Sequence, residues 1–310
     1  MSPLLQVDGL SKSYDGHPAV SRVSFAVEAG QSVALLGPNG SGKTTILRCV
    51  AGLLGLDAGR VEIDGLRQSR RNRRVRRLFS YLPQQASFAP ALTPLEIVSF
   101  HARLRGLDQQ ACLPALEDAG ILRRDQQRRV AELSQGMRQR LSLAVAGLGQ
   151  APLMLFDEPT ASLDVEAALH MRELAIRWRQ QGRALLFSTH VLDDVEALAD
   201  QAVILVEGRV VARRNVAELR AELSRRSLLR VRMSRPDRRL AQAAKEAGAL
   251  DVSLNSHSLL ITASPQHRYA ILSKLAEVGE VESFQTEEPS IEQVYMGFVR
   301  GRTEQEGDDA

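Results

Sequence analysis

The sequence predicts an α/β fold with a parallel sheet at its core, followed by a smaller α+β unit. Three observations carry this reading. Short, bounded apolar runs recur, as in SVALLG (Ser32 to Gly37), LMLFDE (Leu153 to Glu158) and ALLFST (Ala184 to Thr189). Runs of that kind suit strands buried on both faces, as parallel strands are. Helical patterns such as TTILRCVAGLL and VEAALHMRELAIRWRQQG lie between them, and strand–helix alternation is the mark of a parallel sheet with crossover helices. Past Arg220 the pattern changes. It runs strand (LLRVRMS), helix (RRLAQAAKEAG), two strands (ALDVSLN and SLLITAS, turning at Asn255 and Ser256), helix (PQHRYAILSKLAEVG), strand (EVESFQT) and a closing helix (PSIEQVYMGFV). The βαββαβ order is that of a small ferredoxin-like domain. The expected divisions are 1–220, 221–300 and a disordered acidic tail over 301–310, which ends EQEGDDA.

Composition narrows the function classes. The chain has 310 residues, 44% hydrophobic and 25% charged, which suits a globular protein of about two domains. No run approaches the ~18 apolar residues that span a bilayer, and the start, MSPLLQVDGL, has no basic stretch leading into a long apolar core. A cytoplasmic chain is expected. Its two cysteines, Cys49 and Cys112, are far apart, as free thiols in a reducing compartment are. A net charge of +3 does not support nucleic acid as a partner. The dense basic stretch SRRNRRVRR (Ser69 to Arg77) reads as a solvated surface, with acidic lipid headgroups as the sharper alternative.

The chemistry begins at GPNGSGKT, residues Gly37, Pro38, Asn39, Gly40, Ser41, Gly42, Lys43 and Thr44, with Thr45 after it. The pattern is a complete phosphate loop, set between an apolar strand and a helix as it must be. Glycines let backbone N–H groups curl around phosphate oxygens, and the helix start adds partial positive charge. Lys43 reaches the outer phosphates as a point charge, while the Thr44 hydroxyl is suited to Mg²⁺. A nucleoside triphosphate is the expected ligand.

LMLFDEPT supplies the acidic half. Asp157 sits at the carboxyl end of its strand, where ligands of α/β sheets bind, and would hold Mg²⁺ through water. Glu158 is placed to polarise a water toward the outer phosphate. The plainer reading is a carboxylate pair capping the next helix. Gln84, in SYLPQQ, has an amide that suits both Mg²⁺ and the attacking water, with Gln85 as a competing choice. His190 ends the strand ALLFSTH at the same sheet edge. Tyr14, in SKSYDG, is a candidate for stacking on a base.

One stretch is left over. LSQGMRQR (Leu133 to Arg140) is polar in front and apolar behind, a loop entering a helix with Ser134 or Gly136 at the turn. Such a helix start can hold an anion, yet the chain already has a phosphate loop.

Taken in order, Tyr14, GPNGSGKT, Gln84, LSQGM, LMLFDEPT, SLD and His190 resemble the nucleotide-binding domain of ATP-binding cassette (ABC) proteins, from Met1 to about Arg220. The resemblance implies an ATPase that binds ATP and Mg²⁺. It also implies two cassettes packed head to tail, each nucleotide lying between one chain's phosphate loop and its partner's LSQGM. Ser134 would bond the outer phosphate, the Gly136 backbone would approach it, and Asp164, after Leu163, would carry communication across the interface. The usual family signature reads LSGGQ, so Gln135 and Met137 are departures. TPLEIVSFHARLRGL and PSIEQVYMGFV resemble the ATPases of exporters whose transmembrane permease subunits are separate chains. Such a chain lies peripherally on the cytoplasmic face of the inner membrane. LSQGMRQRL with the extra C-terminal domain looks most like the ATPase serving copper-site maturation of nitrous oxide reductase, which would bring in a periplasmic maturation protein through the membrane subunit. Multidrug, polysaccharide and haem exporters are the alternatives. A soluble ABC protein of ribosomes or DNA repair would need a second cassette or long coiled-coil insertions, and a metabolic P-loop kinase would not need LSQGM.

Overall fold

The computed structural model describes residues 2–69, 72–161, 163–224 and 227–287. The chain divides into two compact units, Met1–Arg214 and Asn215–Ala310, a join six residues before the one expected at Arg220 (220 − 214 = 6). The first unit opens with the antiparallel strands β1 (Leu5–Tyr14) and β2 (His17–Val27), then β3 (Ser32–Leu36) and α1 (Lys43–Val50). Next come β4 (Ala58–Ile63), β5 (Leu66–Arg67), β6 (Phe79–Leu82) and the helices α2 (Pro94–Arg105), α3 (Cys112–Asp118) and α4 (Gln135–Gly147). The unit closes with β7 (Leu153–Asp157), α5 (Val165–Gln180), β8 (Ala184–Thr189), α6 (Leu192–Leu198), β9 (Gln201–Val206) and β10 (Arg209–Asn215).

Two sheets result. The larger has the order β10-β9-β3-β8-β7-β6, and β9, β3, β8, β7 and β6 pair in parallel. Every residue of β3, β7 and β8 is buried, which is why these three runs read as continuous apolar segments. Parallel pairing also brings their carboxyl ends to one edge: Leu36 aligns with Thr189, and Asp157 with Ser188. The smaller sheet, β2-β1-β4-β5, is antiparallel and was not foreseen. Its side chains alternate, so it gives no long apolar run. Its inner face shares a core with the parallel sheet, through Leu5, Val7, Val23, Phe25, Val61, Ile46 and Leu155.

The helical elements have local causes. Thr93 and Glu96 form a reciprocal capping box at the start of α2, which satisfies two backbone donors. Gly106, at φ 69°, ends it. Ser134 caps α4 by accepting from the Met137 N–H at 3.2 Å, so the turn falls at Ser134 rather than Gly136. Asp164 caps α5 in the same manner, from the Ala167 N–H at 2.7 Å.

The second unit contains α7 (Val216–Ser224), β11 (Ser227–Met233), α8 (Arg238–Glu246), β12 (Ala249–Asn255), β13 (Ser258–Ala263), α9 (Arg268–Val278) and β14 (Val281–Glu287). Its sheet order, β12-β13-β11-β14, is antiparallel throughout, so the expected βαββαβ order is found. Leu229, Val231, Met233, Leu259 and Ile261 form its core with Leu240, Ile271 and Leu275 of the two helices. The expected closing helix PSIEQVYMGFV, with Met296, and the tail 301–310 lie outside the described residues. Among the described residues no helix is long and apolar enough to cross a membrane.

Gly59 has φ 89°, and a Cβ there would sit 2.5 Å from the Asp8 and Gly9 carbonyl oxygens. The β1–β4 register slips at this place, between Asp8 and Ser11. Gly59→Ala should therefore lower the unfolding free energy by about 1–3 kcal/mol. Gly55→Ala, in open space, should leave it within ~0.5 kcal/mol. Denaturant titration of both variants checks the pair.

Candidate nucleotide site

The site is built where β3, β7 and β8 end. The loop after β3 needs its glycines. A Cβ at Gly37 would meet the Leu205 carbonyl oxygen at 2.4 Å and the Ser41 Oγ at 2.5 Å. Gly42, at φ 94°, would bring one within 2.7 Å of the Ala19 carbonyl oxygen. The loop is thus a cradle that side chains would fill. Ser41 is buried, and its Oγ has no partner among the described residues.

Lys43 opens α1 and is buried. Its Nζ donates to the Gly37 and Pro38 carbonyls at 2.8 and 3.0 Å and lies 3.6 Å from Glu158 Oε1. Burial pulls its pKa below the ordinary lysine value, and the Glu158 carboxylate opposes that pull.

Asp157 is fully buried (0% exposed). A buried carboxylate is tolerated only with donors, and it has them: Thr44 Oγ1 donates to Oδ1 at 2.8 Å and Ser188 Oγ to the same oxygen at 2.7 Å. Tyr81 OH approaches Oδ2 at 3.5 Å. Burial and the Asp157 charge push that phenol's pKa up to about 12. Glu158 follows with φ 47°, a left-handed conformation that costs a non-glycine residue roughly 1–2 kcal/mol. Its N–H donates to Ser188 Oγ at 2.9 Å, so one hydroxyl joins both acidic residues. Around the Glu158 carboxylate stand Gln84 Nε2 at 3.0 Å and His190 Nδ1 at 3.4 Å.

These groups line one cleft of about 670 Å³, together with Asn39, Gly40, Thr45 and Thr160. The structure therefore brings Lys43, Thr44, Gln84, Glu158 and His190 together, with Asp157 beneath them. It does not bring in Tyr14, which is exposed at the end of β1, nor Ser134, Gln135, Gly136 and Asp164 at the starts of α4 and α5. Ser188 was missed, because inside ALLFST it reads as one more residue of a buried strand. Its signal was a pair of hydroxyl residues, Ser188 and Thr189, closing an apolar run just before a candidate site histidine.

The oxygen donors at Thr44 and Asp157 suit a hard divalent cation. Among the described residues no three His, Cys, Asp or Glu side chains cluster as a metal cage. Mg²⁺ takes few protein ligands and completes its shell with phosphates and water, a demand that Thr44 Oγ1 and the Asp157 carboxylate, 2.8 Å apart, would fit.

A family profile described as "ABC transporter" matches residues 20–161. The ABC transporter ATP-binding protein YxlF of Bacillus subtilis is 38% identical over 223 residues, covering 71% of this chain and 73% of that one. The linearmycin resistance ATP-binding protein LnrL of the same organism is 25% identical over 310 residues, covering 97% of this chain and 99% of the relative. A solved structure described as the ATP binding subunit of an ABC transporter superposes with a TM-score of 0.65 at 32% identity, over 71% of this chain and 92% of that chain. This chain belongs to the ABC transporter family of ATP-binding proteins, and it is an ATPase.

Ser188→Ala would strip a donor from buried Asp157 and an acceptor from the Glu158 N–H. It should lower the unfolding free energy by about 1–3 kcal/mol. An unchanged denaturation midpoint would show that the hydroxyl is not needed.

Proposed function

We propose that the chain is the motor subunit of an exporter-type ABC transporter. It docks on a separate transmembrane permease at the cytoplasmic face of the inner membrane and works as a head-to-tail pair, the two copies enclosing two ATP. The observation that carries the pairing is the absence of Ser134, Gln135 and Gly136 from the lining of the nucleotide cleft. Space around Gly136 supports it: a Cβ there would meet nothing within 4 Å, so packing within the chain does not demand a glycine. Close approach by a partner's phosphate does.

In this reading residues 1–220 form the nucleotide-binding domain and 221–300 a regulatory or docking module. The loop 37–42 and Lys43 hold the phosphates, with Thr45 at the start of α1, and Tyr14 stacks on the base. Thr44, Asp157 and Gln84 would hold Mg²⁺, which would supply charge neutralisation at the outer phosphates. Glu158 accepts a proton from water as its oxygen attacks the terminal phosphorus. The bond to the bridging oxygen breaks, leaving ADP and phosphate. His190 steadies Glu158 and the departing phosphate, while Ser134 of the partner grips the same phosphate from across the interface.

For the cargo, LSQGMRQRL and the βαββαβ unit support copper-site maturation of nitrous oxide reductase, reached through a periplasmic maturation protein. The end-to-end similarity to a linearmycin resistance protein favours a second reading, export of a multidrug type; polysaccharide and haem export are further alternatives. Deleting the gene separates the first from the rest. Copper-site maturation predicts reductase protein that lacks its catalytic copper cluster, and a fully metallated, active reductase removes that assignment.

Glu158→Gln keeps shape but removes the base. ATP should still bind and the closed dimer accumulate, while turnover drops by ~10²-fold or more. Size-exclusion chromatography with ATP and Mg²⁺, beside a phosphate-release assay, checks both. A monomer with near wild-type turnover contradicts the role given to Glu158.

A further inference from the structure

One buried charge takes no part in the mechanism above. Asp194, on α6, is 0% exposed, and its carboxylate collects donors from three segments, two of which, the turn after β7 and the end of β8, reach the cleft lining. The Thr160 hydroxyl, two residues past Glu158, donates to Oδ2. The Thr189 hydroxyl, one residue before His190, lies 3.2 Å from the same oxygen. Arg172 grips Oδ1 through Nε at 2.8 Å and Nη2 at 2.7 Å. Arg172 stands on α5, whose first turn is capped by Asp164.

We propose that Asp194 is a positioning residue for hydrolysis: it ties the turn after Glu158 to the strand end that carries His190, and so sets how these two groups face each other across the cleft. The ties are short on both sides. After Glu158, the Ala161 N–H donates to the Glu158 carbonyl at 3.1 Å and the Leu163 N–H to the Thr160 carbonyl at 3.2 Å. Thr160 is thus the side-chain anchor of a tight turn that begins at Glu158. On the other side, the Val191 N–H donates to Thr189 Oγ1 at 2.9 Å, so the Thr189 hydroxyl closes a strap over the His190 backbone. With both hydroxyls on one carboxylate oxygen, His190 Nδ1 and Glu158 Oε1 stand 3.4 Å apart. Glu158 has a left-handed backbone, a conformation that persists only where surrounding contacts over-determine it. The Asp194 network supplies part of that determination from below, as Ser188 does from the neighbouring strand.

A merely structural ion pair between α5 and α6 would give the same burial but a different response to mutation. Thr160→Val preserves volume and leaves the Arg172–Asp194 pair intact, while cutting the tie to the turn. Positioning predicts that kcat for ATP falls about tenfold or more, because small misplacements at a reacting centre cost that much. The nucleotide dissociation constant should stay within about twofold. Thr160→Ser, which restores the hydroxyl, should recover kcat to within about threefold of wild type.

The proposal rests on the roles given to Glu158 and His190, so Glu158→Gln is measured beside these variants on the full-length chain. Wild-type kcat in Thr160→Val with an inactive Glu158→Gln overturns the positioning role alone. Equal losses of nucleotide affinity and turnover in Thr160→Val overturn it too, since they mark general damage. Full turnover in Glu158→Gln overturns both readings. If Thr160→Val does not fold, Thr189→Val, which cuts the strap over His190, carries the same test with the same expected split.

Discussion

Burial of negative charge at the end of β7 is the constraint on which the rest of this structure depends. A carboxylate without solvent is costly unless donors surround it, and Asp157 has none of its own strand's side chains to call on. The parallel sheet provides the solution. Its register sets Asp157 opposite Ser188 of β8, and α1, leaving β3, brings Thr44 within 2.8 Å of the same carboxylate. The sheet order, with β3 beside β8 and β8 beside β7, is therefore also the order in which the site is assembled. The strand ends deliver Lys43, Asp157, Glu158 and His190 to one edge because parallel strands must end together.

Charge balance at this edge is local. Lys43 faces Glu158 at 3.6 Å and takes up two loop carbonyls with its remaining donors. The lysine can serve an anion because it is held by the loop that would embrace that anion. Asp194 repeats the principle one layer down, where a guanidinium and two hydroxyls enclose a carboxylate that never meets solvent. The cleft itself is asymmetric. Its lining comes from the loop after β3, Gln84, the turn after β7 and the residues that follow β8, while the start of α4 places Ser134 and Gly136 outside that lining.

Much of this was legible in the sequence, for identifiable reasons. GPNGSGKT is a local device, complete within eight residues and flanked by the strand and helix it needs. The strands of the parallel sheet read clearly because burial on both faces leaves no polar alternation. The βαββαβ unit was legible because its strands and helices differ in period. The antiparallel sheet of β1, β2, β4 and β5 was not, because its pairings join residues as distant as Leu5 and Ile63 and its strands alternate. Ser188 and Asp194 were missed for a related reason. Most of their partners are distant in sequence and arrive through the fold: Asp157 for Ser188, and Thr160 and Arg172 for Asp194.

The central claim is that LSQGM serves the nucleotide of a neighbouring chain, and mixing two damaged chains tests it most directly. Lys43→Ala disables a chain's own phosphate loop by removing charge at the outer phosphates. Ser134→Arg leaves that loop intact but blocks the grip offered to a partner. Each homodimer has two defective sites, whereas a heterodimer has one doubly broken site and one in which an unmutated Lys43 faces an unmutated Ser134. At high protein concentration, with subunit exchange demonstrated, ATP-dependent dimerisation and hydrolysis in the mixture should exceed those of either variant alone. If both chains fold, the Ser134→Arg chain still binds nucleotide and no activity returns on mixing, then LSQGM is an ordinary helix start and the head-to-tail motor is contradicted.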